Sequence, residues 1–176
     1  MEQMDEIILE WEGPLTLGEA LNRNDGGKCE NGWAGEDCGI YQIYGPHILA
    51  GKKALLYIGQ TADQTFGQRL RQHKKDLLLD EPLKELAIYL GRLKDREHYT
   101  EKDNWTIWYR DVTIAESILI YKYSPHYNSS GLTDYPKIRP YTNVILKHEY
   151  DRGRLKAQDL ARQIMVENEC HKMIVS

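Results

Sequence analysis

No stretch of this 176-residue chain approaches the roughly 20 consecutive apolar residues that a membrane-spanning helix needs. Its start, Met1-Glu2-Gln3-Met4-Asp5-Glu6, lacks the positive charge and the apolar run of a secretory leader. The expectation is a soluble cytoplasmic protein with no membrane partner. Cysteine is also scarce. Cys29, Cys38 and Cys170 are too few and too scattered for a disulfide framework or a Cys-x-x-Cys zinc site, which reads as free thiols in a reducing compartment. No internal repeat or low-complexity tract is present. An excess of basic residues is missing too: the formal net charge is −4, which argues against a nucleic-acid partner because Lys and Arg usually dominate affinity for phosphates. The distribution of charge weakens that objection. Residues 1 to 37 hold ten acidic side chains and only Arg23 and Lys28 in opposition, so this segment carries −8 and the remaining chain +4.

The length suits one domain with extensions. Ile7-Ile8-Leu9-Glu10-Trp11 reads as a short strand, and Thr16-x-x-Glu19 before Ala20-Leu21 as a capping box opening a brief helix. Asn22 to Asp37 is rich in Gly, Asn and Asp, a loop composition. Gly39 to Tyr44 and Ala54 to Gly59 favour β structure, and Gly45-Pro46 and Gly51 between them predict a hairpin in which alternation puts Tyr41 on the face opposite Ile40. Thr65-x-x-Gln68 caps a helix predicted over about 66–79, with Arg69 and His73 on one face. Pro82 opens a second helix through about Leu90. Residues 95–103 read as a charged loop, Trp105 to Tyr109 as a third strand, and Thr113 to about Tyr123 as a helix stopped by Ser124-Pro125. Residues 131–141 are turn-rich, and a last helix, Arg154 to about Glu167, docks through Ala157, Leu160, Ala161 and Ile164.

Five strings stand out in order: Gly39-Ile40-Tyr41, Tyr57-Ile58-Gly59, Phe66-Gly67-Gln68-Arg69-Leu70-Arg71-Gln72-His73, Ala115-Glu116-Ser117-Ile118-Leu119-Ile120, and Ser124-Pro125-His126-Tyr127-Asn128. Each tripeptide alone is what any apolar strand supplies. Together, from Cys38 to about Ser130, they resemble the GIY-YIG nuclease superfamily, whose pattern is a GIY strand, a YIG strand, a helix bearing Arg and often His, a helix bearing Glu, and an Asn after Pro-x-Tyr. The resemblance implies an α+β fold: a small three-stranded antiparallel sheet flanked by helices, spanning residues 38–130, between an acidic extension (1–37) and a C-terminal one (131–176).

It also implies roles. Tyr41 and Tyr57 would orient or deprotonate a water, either one being able to, although strand tyrosines usually just pack. Arg69 would stabilise the transition-state phosphate with its planar fork of donors, whereas in isolation it reads as a solvated helix residue. His73 would relay a proton or hold a tyrosine. Glu116 would bind Mg²⁺, with Mn²⁺ able to substitute, against the competing reading of Thr113-x-x-Glu116 as a capping box. Asn128 would brace the site or touch phosphate, against a turn role. Gly59 would let a phosphate or a backbone come close, and Arg71, Lys74 and Lys75 are candidate backbone contacts.

The implied function is a metal-dependent endonuclease hydrolysing DNA phosphodiesters, of restriction type, acting as a monomer or a homodimer. The alternatives are a standalone structure-specific or repair nuclease and, from another class, a non-catalytic nucleic-acid-binding module.

Overall fold

The protein's structure, a computed structural model, describes residues 5–22, 38–61, 64–76, 83–94, 105–132 and 144–160. Among these residues six strands form one sheet: β1 (Asp5–Leu15), β2 (Gly39–His47), β3 (Gly51–Thr61), β4 (Ala87–Leu93), β5 (Val144–Glu149) and β6 (Gln158–Leu160), in the order β3-β2-β4-β1-β5-β6. All neighbours are antiparallel except β1 and β5, which run parallel, so the sheet is mixed, and it is curled. Among the described residues three helices pack on it: α1 (Leu17–Leu21), α2 (Phe66–Asp76) and α3 (Trp105–Tyr123).

The expected small three-stranded antiparallel sheet is therefore corrected to a six-stranded mixed one, and particular segments account for the difference. Residues 83–90 were predicted helical, yet Leu83–Glu85 make only a 3-10 turn and Ala87–Leu93 a strand. There Ile88 and Leu90 join one core and Leu93 the other, a period of two that hydrogen bonding to β2 and β1 on both sides makes productive. Trp105 to Tyr109, predicted as a strand, is the first part of α3 instead. Its Trp108 begins a stripe continued by Val112, Ala115 and Leu119, so burial of one helical face outweighs the β preference of the residues themselves. Val144, Leu146 and His148 alternate inward on β5, which was not predicted as a strand. No helix starts at Arg154, because residues 158–160 pair with β5; the rest of that expected helix, the 95–103 loop and most of residues 22–37 lie outside the described residues.

The sheet has two apolar faces. α3 covers one through Ile7, Leu9, Trp11, Ile40, Ile58, Val144 and Leu146. α1 and α2 cover the other through Tyr41, Ile43, Leu56, Ile88 and Leu90, with Phe66 and Leu70 from α2. Ile40 and Tyr41 thus face opposite ways, as alternation requires. The far end of the sheet is closed by a buried polar cluster. The fully buried Asp159 accepts from Lys122 Nζ at 2.6 Å, from Tyr123 Oη at 3.0 Å and from His148 Nε2 at 3.3 Å. Trp11 Nε1 donates to His148 Nδ1 at 2.9 Å, which leaves the ring proton on Nε2 for the carboxylate. Burial pushes the Asp159 pKa up, but donation from His148, Lys122 and Tyr123 outweighs it and holds the carboxyl below its ordinary range.

Cys38 is disulfide-bonded, so the expectation of free thiols fails for it; Cys29 and Cys170 lie outside the described residues. Among the described residues no helix is long and apolar enough to cross a membrane.

Candidate active site

Tyr41 stands in β2 directly opposite Gly59 of β3, and Tyr57 opposite Ile43. Between those pairs and the next one, Tyr44 opposite Leu55, β3 carries an extra residue. This bulge sends Leu56 and Tyr57 both toward the α2 face, while the regular register beyond it sets Tyr57 diagonal to Tyr41, with ring centroids 6.0 Å apart and planes at 24°. Gly59 is what permits the arrangement. A β-carbon there would lie 2.5 Å from Cζ of Tyr41 and 2.7 Å from Cε1 of Tyr57. The space expected for a phosphate at Gly59 is taken by the Tyr41 phenol.

α2 supplies the next two groups. Its start is fixed by reciprocal bonds, Thr65 N to Gln68 Oε1 at 3.0 Å and Gln68 N to Thr65 Oγ1 at 3.3 Å, which set the helical phase for Arg69 and His73. His73 Nε2 is 2.5 Å from the Tyr41 hydroxyl, and its ring centroid is 4.7 Å from that of Tyr57. Arg69 interacts with both phenols and donates from Nη1 to Gln72 at 2.9 Å. Its Nε is buried and has no hydrogen-bond partner among the described residues.

Glu116 comes from α3, on the opposite layer. β3 is an edge strand and α3 packs against β3 and β2, so the charge of this carboxylate is felt across the sheet. Its charge raises the pKa of Tyr41 and of Tyr57. The capping-box reading of Glu116 is removed, because Thr113 lies inside α3 rather than at its start.

Burial is the largest influence on both phenols. It pushes Tyr41 far above the ordinary phenol range, with the neighbouring Tyr57 adding to the shift and Arg69 opposing it. Tyr57 is raised too, by burial first, with Arg69 pulling down and Glu116 pushing up. Burial would lower Arg69, but the two phenol oxygens more than compensate, so the guanidinium is held firmly charged.

Asn128 stands behind the phenols rather than among them. Its Oδ1 accepts from Ile58 N at 3.0 Å and its Nδ2 donates to Ile58 O at 2.8 Å. The side-chain amide thereby stands in for a neighbouring strand. Tyr127 N to Leu56 O at 2.8 Å continues the same cover along the β3 edge, next to Tyr57. Arg71 donates from Nη2 to Leu21 O at 2.8 Å, tying α2 to α1. The side chains of Lys74 and Lys75 lie outside the described residues.

Two further oxygens were given no site role from the sequence, where Thr113 figures only as a cap. Gln60 Oε1 and Thr113 Oγ1 are buried and, among the described residues, unpartnered. Gln60 adjoins Gly59 and Thr113 is one helical turn before Glu116, so their adjacency to two motif strings was the signal available. Among the described residues no three His, Cys, Asp or Glu side chains gather as a metal cage. Glu116 offers a single carboxylate, which suits Mg²⁺, an ion that keeps several waters and takes few protein ligands, better than it suits zinc.

The sequence matches no family model, and no curated protein or solved structure matches it.

Proposed function

We propose that the chain is a divalent-metal-dependent endonuclease with a GIY-YIG-type active site that hydrolyses DNA phosphodiesters. The observation that carries the reading is the cluster of Tyr41, Tyr57, Arg69 and His73 from two strands and one helix, with the charge of Glu116 on the other layer felt at both phenols. Packing alone does not require a guanidinium, an imidazole and a carboxylate around two raised phenols.

Mg²⁺, or Mn²⁺ in its place, would be held by Glu116 and would supply Lewis-acid stabilisation of the phosphate. Arg69 stabilises the charge that builds on the phosphoryl oxygens, and its buried Nε, without a partner among the described residues, is a donor in reserve for that charge. Tyr57, half-buried, is the phenol that water can reach, whereas Tyr41 is 0% exposed. With both phenols raised, neither is a phenolate at neutral pH. Tyr57 therefore orients the water, and the proton passes to His73, the imidazole in contact with both rings. Asn128 holds the Tyr57 strand in place. One such site severs one strand, so duplex cleavage of restriction type takes a homodimer or two successive events.

The test is nicking of supercoiled plasmid with Mg²⁺. Glu116→Ala should abolish nicking, and Arg69→Lys should lower its rate by about 10²–10³-fold, with urea midpoints close to wild type. Full nicking by Glu116→Ala would sink the proposal.

A further inference from the structure

The β2–β3 hairpin that carries Tyr41 and Tyr57 ends in a turn whose two largest side chains are uncovered. Ile48 is 96% and Leu49 89% exposed, at a place where small and polar turn formers are the rule. The turn is braced. His47 Nδ1 accepts from the amides of Leu49 and Ala50 at 3.4 and 3.2 Å, and its ring stacks on His126 with centroids 4.2 Å apart. Gly51, at φ 89°, returns the chain into β3.

Cations adjoin this tip. Lys52 lines an open depression with His47, Ile48 and Tyr127, and also a cleft of about 260 Å³ with Lys53, Arg154 and Tyr44. All three cationic side chains are exposed. Glu85 is the sole acid among the described residues lining either hollow.

We propose that the tip is a wedge for duplex DNA: Ile48 and Leu49 enter between neighbouring base pairs, while Lys52, Lys53 and Arg154 hold the phosphates beside the opened step. Aliphatic wedges unstack and kink a duplex in this way, and a flanking set of cations is the complement of its backbone. This rests on the nuclease reading, because the far end of the same hairpin bears the phenols assigned to the phosphodiester. The hairpin also fixes a distance. Ile48 stands seven positions after Tyr41, roughly 23 Å at the usual strand rise. That span corresponds to about seven nucleotides along one DNA strand.

Permanganate oxidises thymines that have lost their stacking, so it reports the wedge directly. Cut positions on plasmid would be mapped in Mg²⁺, and a short duplex carrying the strongest site would then be probed with the full chain in EDTA. Thymine reactivity should rise several-fold about seven nucleotides from the cut. It should return to the level of free DNA in Ile48→Ser/Leu49→Ser. Lys53→Ala/Arg154→Ala should weaken binding and flatten its salt dependence by about two counterions, with reactivity restored at saturation. Cuts without reactivity, or reactivity unchanged in the serine variant, would overturn the wedge and leave the nuclease standing. Reactivity on plasmid without any cutting would sustain the wedge and overturn the nuclease, and absence of duplex binding would overturn both. A fourth arm uses anionic phosphatidylserine vesicles: binding lost in the serine variant, with DNA reactivity unaltered, would assign the tip to a lipid surface and overturn the proposal.

Discussion

Replacing Gly59 by alanine sets the Tyr41 phenol against one added methyl group. That carbon would fall 2.5 Å from Cζ of Tyr41 and 2.7 Å from Cε1 of Tyr57, distances that real β-carbons do not tolerate. Tyr41 has little room to give way, being 0% exposed, packed on Phe66 and bonded to His73. Overpacking of a filled site costs about 1–3 kcal/mol. Alanine elsewhere in a strand would regain ~0.5–1 kcal/mol of backbone entropy over glycine, so the steric term must exceed the net loss. The clean measurement is a double-mutant cycle in urea with Tyr41→Leu, whose shorter side chain leaves the phenol's place empty. Gly59→Ala should destabilise the wild type by about 1–3 kcal/mol and the Tyr41→Leu protein by distinctly less, giving a coupling of about 1 kcal/mol or more. Equal costs in both backgrounds, within about 0.5 kcal/mol, would refute the claim that this glycine exists to seat the tyrosine.

Asn128→Ala should lower stability by about 2–4 kcal/mol in urea denaturation, because it strands a buried N–H and C=O of Ile58; unchanged stability with lost nicking would place Asn128 at the substrate instead. Alkali should also unfold the protein. Burial pushes the Tyr44 pKa up to about 12, so its contribution to stability is complete below the ordinary phenol pKa of about 10 and is lost as pH rises from there through 12. Urea midpoints at pH 8 and pH 11 should show the fall, and Tyr44→Phe should reduce it; no decline over that window would contradict the assignment.

Local chemistry was legible in the sequence wherever a few neighbouring residues settle the matter. The Thr16/Glu19 capping box is present with both its bonds, Thr16 N to Glu19 Oε2 at 2.7 Å and Glu19 N to Thr16 Oγ1 at 3.2 Å. The β2–β3 hairpin and the start of α2 follow from turn formers and a cap in the same way. Segments whose state depends on distant partners were not legible. Ala87–Leu93 has a strand's alternation only once β1 and β2 flank it, and β1 finds its parallel neighbour β5 more than a hundred residues away. Trp105–Tyr109 has the propensities of a strand and becomes helix because Trp108 shares a buried stripe with residues far down α3.

The candidate site shows the same division within single residues. The pattern of types, Tyr41, Tyr57, Arg69, His73 and Glu116, was readable because residue types and their order are visible in the sequence whatever the scaffold. What each glycine or amide does there was not, since that is decided by who stands opposite. Gly59 seats Tyr41, and Gly91, opposite Trp11, has the indole within 2.8 Å of where a β-carbon would be. Two cross-strand aromatic–glycine pairs thus occur on opposite faces of one sheet, one in the candidate site and one in the α3 core. A motif glycine of this kind is consequently evidence for a ring across the strand before it is evidence for a ligand. What packing alone would not have gathered around the two phenols is the guanidinium of Arg69 and the imidazole of His73, with the charge of Glu116 felt from the other layer.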